Sequence, residues 1–119
     1  MSPASSKAPS RGDVIMVDLD PTLGREQAGY RPAAVVSADR LNRSPAGLVM
    51  IAPFTSTDRG VPAHVRVAPP EGGLDRSSVL MVDQLRTIST ERIGRWLGSL
   101  SPSTMDRVDE RLRALLGLG

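Results

Sequence analysis

Short apolar runs, separated by polar segments rich in glycine and proline, make up most of this chain. Each run is too short for a helix that buries one face, and turn residues bound it, which is typical of β-strands. The five clearest runs are Val14–Leu19, Arg31–Ser37, Leu48–Phe54, His64–Val67 and Ser78–Val82. Ile93–Leu100 is predicted as a further short strand, because Gly94 and Gly98 are unfavourable inside a helix.

Helical patterns are fewer, and only the last is long. Ser37–Arg43 is predicted to form one turn with Ser37 or Asp39 as its N-cap, and Ser89–Arg92 to form another. At the C-terminus, Ser101 can cap a helix that Pro102 begins and Gly117 ends.

The C-terminal segment also has the periodicity of a helix that packs on one side. Met105, Val108, Leu112 and Leu115 fall on one apolar stripe. Asp109 and Arg113 stand at the i,i+4 spacing of a helical ion pair on the polar side. This helix is therefore predicted to cover a sheet.

These elements together predict a mainly β fold with α (α+β). We expect a small β-barrel or strongly curved antiparallel sheet with a C-terminal amphipathic helix packed against it. Residues 1–10 are predicted to be a disordered tail and residues 11–118 a single domain. The N-terminus lacks the apolar core of a secretory signal and no run is long enough to span a membrane, so a cytoplasmic protein is expected.

Composition excludes several kinds of site. The chain has no cysteine, which excludes disulfides and thiolate metal sites, and its single His64 argues against a histidine metal site or a Ser-His-Asp hydrolase. The net charge is +2, and fourteen of the fifteen basic residues are arginine. The arginine bias reflects either coding composition or a need for the planar fork that binds phosphate and carboxylate.

Polar patches follow three of the predicted strands. Gly24–Pro32 contains Glu26, Gln27 and Arg31 between two apolar runs. The other two patches are Thr55–Thr57 and the group Asp83, Gln84 and Arg86. If the strands that precede them are neighbours, the three patches converge, since functional loops on a rigid sheet tend to cluster.

A convergent set of this kind suits an anionic substrate that carries its own nucleophile, such as RNA. The 2′-hydroxyl attacks the adjacent phosphate when one group accepts its proton and another neutralises the developing charge. Arg31 is the candidate for the charge and Glu26 for the proton. The alternatives are a surface ion pair between Glu26 and Arg31, worth about 0–1 kcal/mol, and polar groups that only brace turns.

Six segments in order resemble the MazF/PemK toxin family, from about Arg11 to Leu118. They are Arg11–Val14, Val17–Thr22, Gly24–Pro32, Pro53–Thr57, Val82–Thr87 and Leu100–Asp109. The resemblance implies a small SH3-like barrel that forms a homodimer. It also implies a sequence-specific, metal-independent endoribonuclease that needs no cofactor, cuts single-stranded mRNA and is neutralised by a cognate MazE-like antitoxin.

The same resemblance assigns roles residue by residue. The positions that match catalytic residues are Arg31, Thr55 and Glu26. The positions placed in the RNA groove are Arg25, Gln27, Ser56, Thr57, Gln84 and Arg86. His64 matches no functional position and is expected to be structural. Tyr30 is expected either to stack on a base or to pack, and Trp96 to lie in the core or in the dimer interface.

Two other functions remain open. CcdB-type toxins share this kind of barrel and bind DNA gyrase without chemistry of their own, so the fold alone does not decide. The chain ends in Gly117-Leu118-Gly119 and lacks the terminal Trp of the gyrase poisons, which favours the nuclease. A member that binds the antitoxin but no longer cuts RNA is the third possibility.

Overall fold

The computed structural model describes residues 8–19 and 29–119 of the chain. Strands dominate it, and a long helix closes the chain. The strands are β1 (Asp13–Asp18), β2 (Tyr30–Val35), β3 (Leu48–Thr55), β4 (His64–Val67), β5 (Ser78–Met81), β6 (Arg86–Ser89) and β7 (Ile93–Ser99). The helices are α1 (Asp39–Asn42) and α2 (Pro102–Leu116), and short 3₁₀ turns occupy Glu71–Gly73, Val82–Gln84 and Thr90–Arg92.

All six predicted strands are present, and the prediction of a mainly β fold with a C-terminal helix is confirmed. The sequence did not predict β6. Its residues alternate weakly, and of its four side chains only that of Ile88 is buried. Without an apolar run, this segment was interpreted as a polar loop.

The described strands form one antiparallel sheet in the order β4-β5-β3-β2-β1-β7, with β6 also paired to β3. Strand β3 is central. It pairs with β2 along one side, through Val35↔Ile51 to Ala33↔Pro53. Along its other side it pairs first with β6, through Leu48↔Ser89 to Ile51↔Arg86, and then with β5. Strands β4 and β7 are the two ends of this order and do not pair with each other within the described part of the chain.

Side chains alternate between two buried clusters, one on each face of the sheet. The first, cluster A, contains α2 and even-numbered positions of β1 to β3, including Val14, Ala34, Ala52, Phe54 and Val108. The second, cluster B, contains Ile15, Val17, Leu19, Ala33, Val35, Val49, Ile51 and Ile88. Helix α2 therefore covers only the cluster A face.

Helix α2 begins and ends as the sequence predicts. The Ser101 hydroxyl accepts a hydrogen bond from the Thr104 backbone N–H at 3.2 Å, and Gly117 ends the helix in the left-handed conformation at φ 69°. The predicted apolar stripe is shorter than expected. Val108 is fully buried, whereas Leu115 is 46% exposed. The sheet thus ends beneath the last turn of the helix.

The polar side of α2 is joined by an ion pair to the segment before β1. Asp109 forms an ion pair with Arg11, so the predicted i,i+4 pair with Arg113 is replaced by a long-range one. The Arg11 guanidinium also donates to the Val36 carbonyl at 2.9 Å. The backbone N–H of Arg11 donates to Asp39 Oδ1 at 2.7 Å. One residue therefore joins β1, α1 and α2.

This network explains why the predicted cap of α1 was wrong. The N-cap is Ala38, whose side chain makes no capping bond. Asp39 accepts from Arg11 instead. The buried Ser37 hydroxyl donates to Asn42 and accepts from the Met50 N–H, so it fastens α1 to β3.

Gly98 lets the 3₁₀ turn at Glu71–Gly73 approach the backbone of β7. A Cβ at position 98 would lie 2.6 Å from the Gly72 carbonyl carbon and 2.7 Å from the Gly73 nitrogen. Any side chain there would push the two segments apart. The glycine that argued against a helix therefore also has a packing role.

Glu71, in this turn, is bonded to the start of α2. Its Oε2 accepts from the Ser101 backbone N–H at 2.9 Å. Burial raises the pKa of Glu71, but hydrogen bonds from Ser101 and Thr104 and the charge of Arg107 outweigh it, so the pKa lies below its ordinary value of 4.5. A depressed pKa means that the ionised carboxylate stabilises the folded state.

We expect this contribution to be present above the unfolded-state pKa near 4.5 and to be lost as the pH falls through the lower folded-state value. Glu71→Gln should destabilise the protein at pH 7 and flatten the acid side of its stability curve. Urea unfolding of both proteins between pH 3 and pH 7 measures this. A constant difference across that range would contradict the assignment.

Candidate functional site

Arg31 and Thr55 are brought together by the register of β2 and β3. The paired residues of these strands end at Ala33↔Pro53. Continuing the same register by two residues places Arg31 opposite Thr55. The ladder ends at Ala33↔Pro53, which leaves both side chains at the open end of the two strands.

Both side chains belong to the face of cluster B. Arg31 shares its side of β2 with Ala33 and Val35, and Thr55 shares its side of β3 with Ile51, since alternate residues of a strand point the same way. Both residues are partly exposed. The site therefore lies on the face that α2 leaves uncovered.

Arg86 joins this face from the other side of β3. It is the first residue of β6 and stands opposite Ile51. Its side chain shares the direction of Ile88, a member of cluster B. Thr55 lies four residue steps beyond Ile51 in β3, which is about 13 Å of strand. The guanidiniums of Arg31 and Arg86 thus lie on opposite sides of β3 and at different positions along its length.

Neither guanidinium is neutralised within the described residues. The ion pairs between described residues involve neither Arg31 nor Arg86. Their basic partners are Arg11, Arg43, Arg66, Arg76, Arg111 and His64. Uncompensated arginines on one face create a positive potential that attracts anions. Their forked donors also suit phosphate oxygens.

The Thr55 hydroxyl is oriented by the turn that follows it. Its oxygen accepts a hydrogen bond from the Thr57 backbone N–H at 3.2 Å. A hydroxyl has one proton to donate in addition to its acceptor lone pairs, so Thr55 can still donate to an anion beside it. Ser56 and Thr57 are exposed at the same end of β3.

The segment after Thr57 folds back onto β4. Asp58 Oδ2 lies 2.5 Å from Arg66 Nε, and the Gly60 N–H donates to Asp58 Oδ1 at 2.9 Å. The Arg66 hydrogen bond, with the smaller effect of Gly60, holds the pKa of Asp58 below its ordinary value. The carboxylate therefore pins the turn that follows the candidate hydroxyls.

Two adjoining clefts border this turn, with volumes of about 430 and 230 Å³. Asp58, Arg66 and Arg107 line both of them. These residues cannot be recognised together from the sequence, because Arg107 comes from α2 and only the fold brings it beside β4. The alternation of polar and apolar residues in His64–Val67 is the one sequence signal that places Arg66 on an exposed face.

The third patch follows β5 as predicted. Gln84 is exposed at the end of the 3₁₀ turn Val82–Gln84, and Arg86 opens β6 two residues later. Asp83 in the same turn accepts from His64 Nε2 at 3.0 Å. The His64 side chain is therefore connected to this patch through Asp83.

The remaining predicted site residues, Arg25, Glu26 and Gln27, lie outside the described residues. The two residues that border their segment are joined, since the Leu19 N–H donates to the Gly29 carbonyl at 2.9 Å. This bond extends the β1–β2 ladder to the border of the segment. Arg31 follows Gly29 by two positions.

Tyr30 of β2 and Trp96 of β7 expose large aromatic surfaces, and only β1 lies between these two strands in the described sheet. Tyr30 is 58% exposed, and its hydroxyl lies over Gly94 of β7, where a Cβ would come within 1.6 Å of it. One side of the ring thus packs on backbone while the other stays open. Trp96 is 54% exposed, so it does not belong to the core of the single chain.

Two kinds of feature are missing from the described residues. No helix there is long and apolar enough to cross a membrane. No cluster of three or more histidine, aspartate or glutamate side chains there could hold a metal ion.

Comparison with known proteins finds a consistent set of relatives. The family model for PemK-like, MazF-like toxins of type II toxin–antitoxin systems matches residues 10–116. Endoribonuclease EndoA of Bacillus subtilis is 38% identical over 109 residues, which are 91% of this chain and 94% of that one.

Solved structures agree with this result. The chain resembles MazF in the MazE–MazF structure from Deinococcus radiodurans, with a TM-score of 0.79, 28% identity and coverage of 96% of this chain and 100% of that one. It also resembles a mycobacterial endoribonuclease in complex with its cognate antitoxin, with a TM-score of 0.75, 28% identity and coverage of 95% and 97%.

Proposed function

The chain belongs to the PemK-like, MazF-like toxins of type II toxin–antitoxin systems, and from this membership and the site geometry we propose that it is a sequence-specific endoribonuclease. Its proposed substrate is single-stranded mRNA, whose cleavage stops translation and growth. The Bacillus subtilis relative is named an endoribonuclease. The observation that carries the proposal is the register of β2 and β3, whose continuation sets Arg31 opposite Thr55 on the face that α2 does not cover.

The proposed reaction is a transesterification within the RNA. The 2′-oxygen attacks the adjacent phosphorus and loses its proton, the bond to the 5′-oxygen breaks, and that oxygen takes up a proton. The products are a 2′,3′-cyclic phosphate and a 5′-hydroxyl. Arg31 stabilises the charge that develops on the phosphate, and Thr55 donates a hydrogen bond to the same group.

Glu26 is proposed to accept the proton from the 2′-hydroxyl, because it is the carboxylate of the segment that leads to Arg31. The RNA on either side of the cleaved bond is proposed to contact further residues of the three patches. These are Arg25, Gln27, Ser56, Thr57, Gln84 and Arg86.

The gyrase-binding function of CcdB-type toxins is the rival proposal. It requires a protein-binding surface but no paired hydroxyl and guanidinium. Arg31 and Thr55, with Arg86 on the same face and no carboxylate partner among the described residues, favour a phosphate substrate. An assay on purified RNA beside a gyrase inhibition assay distinguishes the two functions.

We expect cleavage without a divalent metal, because the proposed chemistry uses Arg31 and Thr55 to stabilise charge. Purified protein in excess chelator should cut a defined RNA and leave 2′,3′-cyclic phosphate and 5′-hydroxyl ends, identified by mass spectrometry. Activity that disappears in chelator and returns only with magnesium would contradict this mechanism.

Arg31→Ala should reduce kcat by about 10²–10³-fold, as expected when a preorganised charge-stabilising donor is lost. Arg31→Lys should restore only part of the activity, since an ammonium is a point charge without the fork. Single-turnover cleavage measures both variants. Arg76→Ala is the matched control, because Arg76 is an exposed arginine whose only ion pair among the described residues is with its neighbour Asp75. An Arg31→Ala protein that cleaves at the normal rate would refute the assignment.

The proposed protein partner is a cognate MazE-like antitoxin. Two of the matching structures contain a toxin together with its antitoxin. The positive face that carries Arg31 and Arg86 suits an acidic segment that folds on binding and blocks the entry of RNA. The same charges would thus serve substrate and inhibitor.

We also propose that the active form is a two-fold homodimer. Among the described residues, the exposed large apolar side chains include Trp96 on the edge strand β7 and a second group, Leu115, Leu116 and Leu118, at the end of α2. Isologous pairing covers a patch with its own copy. It would also place two sets of site loops along one composite groove.

Light scattering should therefore report twice the chain mass of 12.7 kDa at micromolar concentration. Trp96→Arg and Leu116→Arg each place a charge among one of these two groups of side chains. The substitution that lies in the interface should lower the mass measured by light scattering toward that of a single chain. A monomeric wild-type protein that still cleaves RNA would end the proposal.

A further inference from the structure

His64 is held almost completely inside the protein by one polar contact. Its side chain is 10% exposed, and Nε2 lies 3.0 Å from Asp83 Oδ1. A carboxylate only accepts hydrogen bonds, so Nε2 is the donor. The other ring nitrogen, Nδ1, is buried without a hydrogen-bond partner among the described residues.

A histidine that served only to fill space would be a poor choice at this position. A buried polar atom without a partner destabilises the folded state, whereas a leucine or phenylalanine of similar size would leave nothing unpaired. The bond from Nε2 to Asp83 is the one polar contact that the ring makes within the described residues. The structure therefore connects the histidine with the position of Asp83.

Asp83 lies in the middle of the 3₁₀ turn Val82–Gln84. No side chain caps the start of this turn, and the backbone bond at its end is long, with 3.3 Å between the Leu85 nitrogen and the Val82 carbonyl oxygen. The hydrogen bond from His64 to Asp83 supports the turn from β4.

The support is rigid because His64 itself is fixed by the sheet. It is the first residue of β4 and stands opposite Met81, the residue just before the turn. The β4–β5 ladder fixes the position of the His64 backbone, and the imidazole ring fixes the position of the Asp83 carboxylate. Gln84 is the next residue in the chain. Arg86 begins β6 two residues further on.

We propose that His64 is a positioning residue for RNA binding, which acts through Asp83 to orient Gln84 and the chain that enters Arg86. The inference rests on the proposed function, because it takes Gln84 and Arg86 as RNA contacts. It assigns His64 no contact with the substrate. Its loss should therefore raise KM and leave kcat close to the wild-type value.

Two amides provide a matched pair of variants. The side-chain nitrogen of glutamine can reach the place of Nε2, whereas that of asparagine is one carbon shorter and matches Nδ1. His64→Asn should raise KM for a defined RNA by about 10-fold, the effect of one hydrogen bond to a charged group, and His64→Gln should restore most of it. Equal KM values for His64→Asn and wild type, or no rescue by His64→Gln, would overturn the proposal.

Coupling to the RNA contact separates positioning from a general loss of stability. In a Gln84→Ala background, His64→Asn should add clearly less than 10-fold to KM, because one of the two groups that it orients is gone. A full additional 10-fold loss would overturn the proposal. Asp83→Ala removes the other end of the bond and should match His64→Asn, so it keeps the test valid if His64→Asn does not fold.

The proposed function is tested separately by the wild-type protein in the same assay. Wild-type protein that fails to cleave RNA would refute the nuclease itself. Wild-type protein that cleaves, with His64 and Asp83 variants that match it, would refute only the role of His64.

Discussion

The divided pairing of β3 is the constraint on which the rest of the structure depends. Strand β3 pairs with β2 along one side, and with β6 and then β5 along the other. Side chains from strands distant in sequence therefore meet around it. Because the register of each pair fixes which face every residue occupies, a shift by one residue would turn Arg31 or Arg86 to the opposite face.

The two faces of the sheet have different tasks. Cluster A is sealed by α2, whose ends are fixed by Ser101 and Gly117 and whose start is bonded to Glu71. Cluster B supports the face with Arg31, Thr55 and Arg86. Arg31, Thr55 and Arg86 are at least partly exposed above this cluster, so they remain accessible to substrate.

The sequence predicted those features of the fold that depend on interactions between residues close together in the chain. The caps and the stripe of α2 follow from its own sequence, and so do the apolar strands. The sequence could not show that Asp109 pairs with Arg11 rather than Arg113, since that choice depends on where β1 lies. It missed β6 because a strand of polar residues is recognised only by its partner β3.

The residues of the candidate site were predicted, whereas their convergence was predicted only on the condition that the strands before the three patches are neighbours. Arg31, Thr55 and Arg86 could be proposed from their patches and from family resemblance, whereas their common face follows only from the ladder registers. His64 illustrates the limit most clearly. Its alternating strand predicts a packing role, and the bond to Asp83 becomes visible only when β4 and the turn after β5 are placed side by side.

The central claim is that Arg31 and Thr55 hold the phosphate at which RNA is cut. A crystal structure with an RNA that carries a 2′-deoxynucleotide at the cleavage position tests it directly, because the missing hydroxyl prevents the reaction. The account predicts phosphate oxygens within about 2.7–3.2 Å of the Arg31 guanidinium and the Thr55 hydroxyl. A scissile phosphate bound beyond the reach of both, or RNA lying on the α2 face, would contradict it.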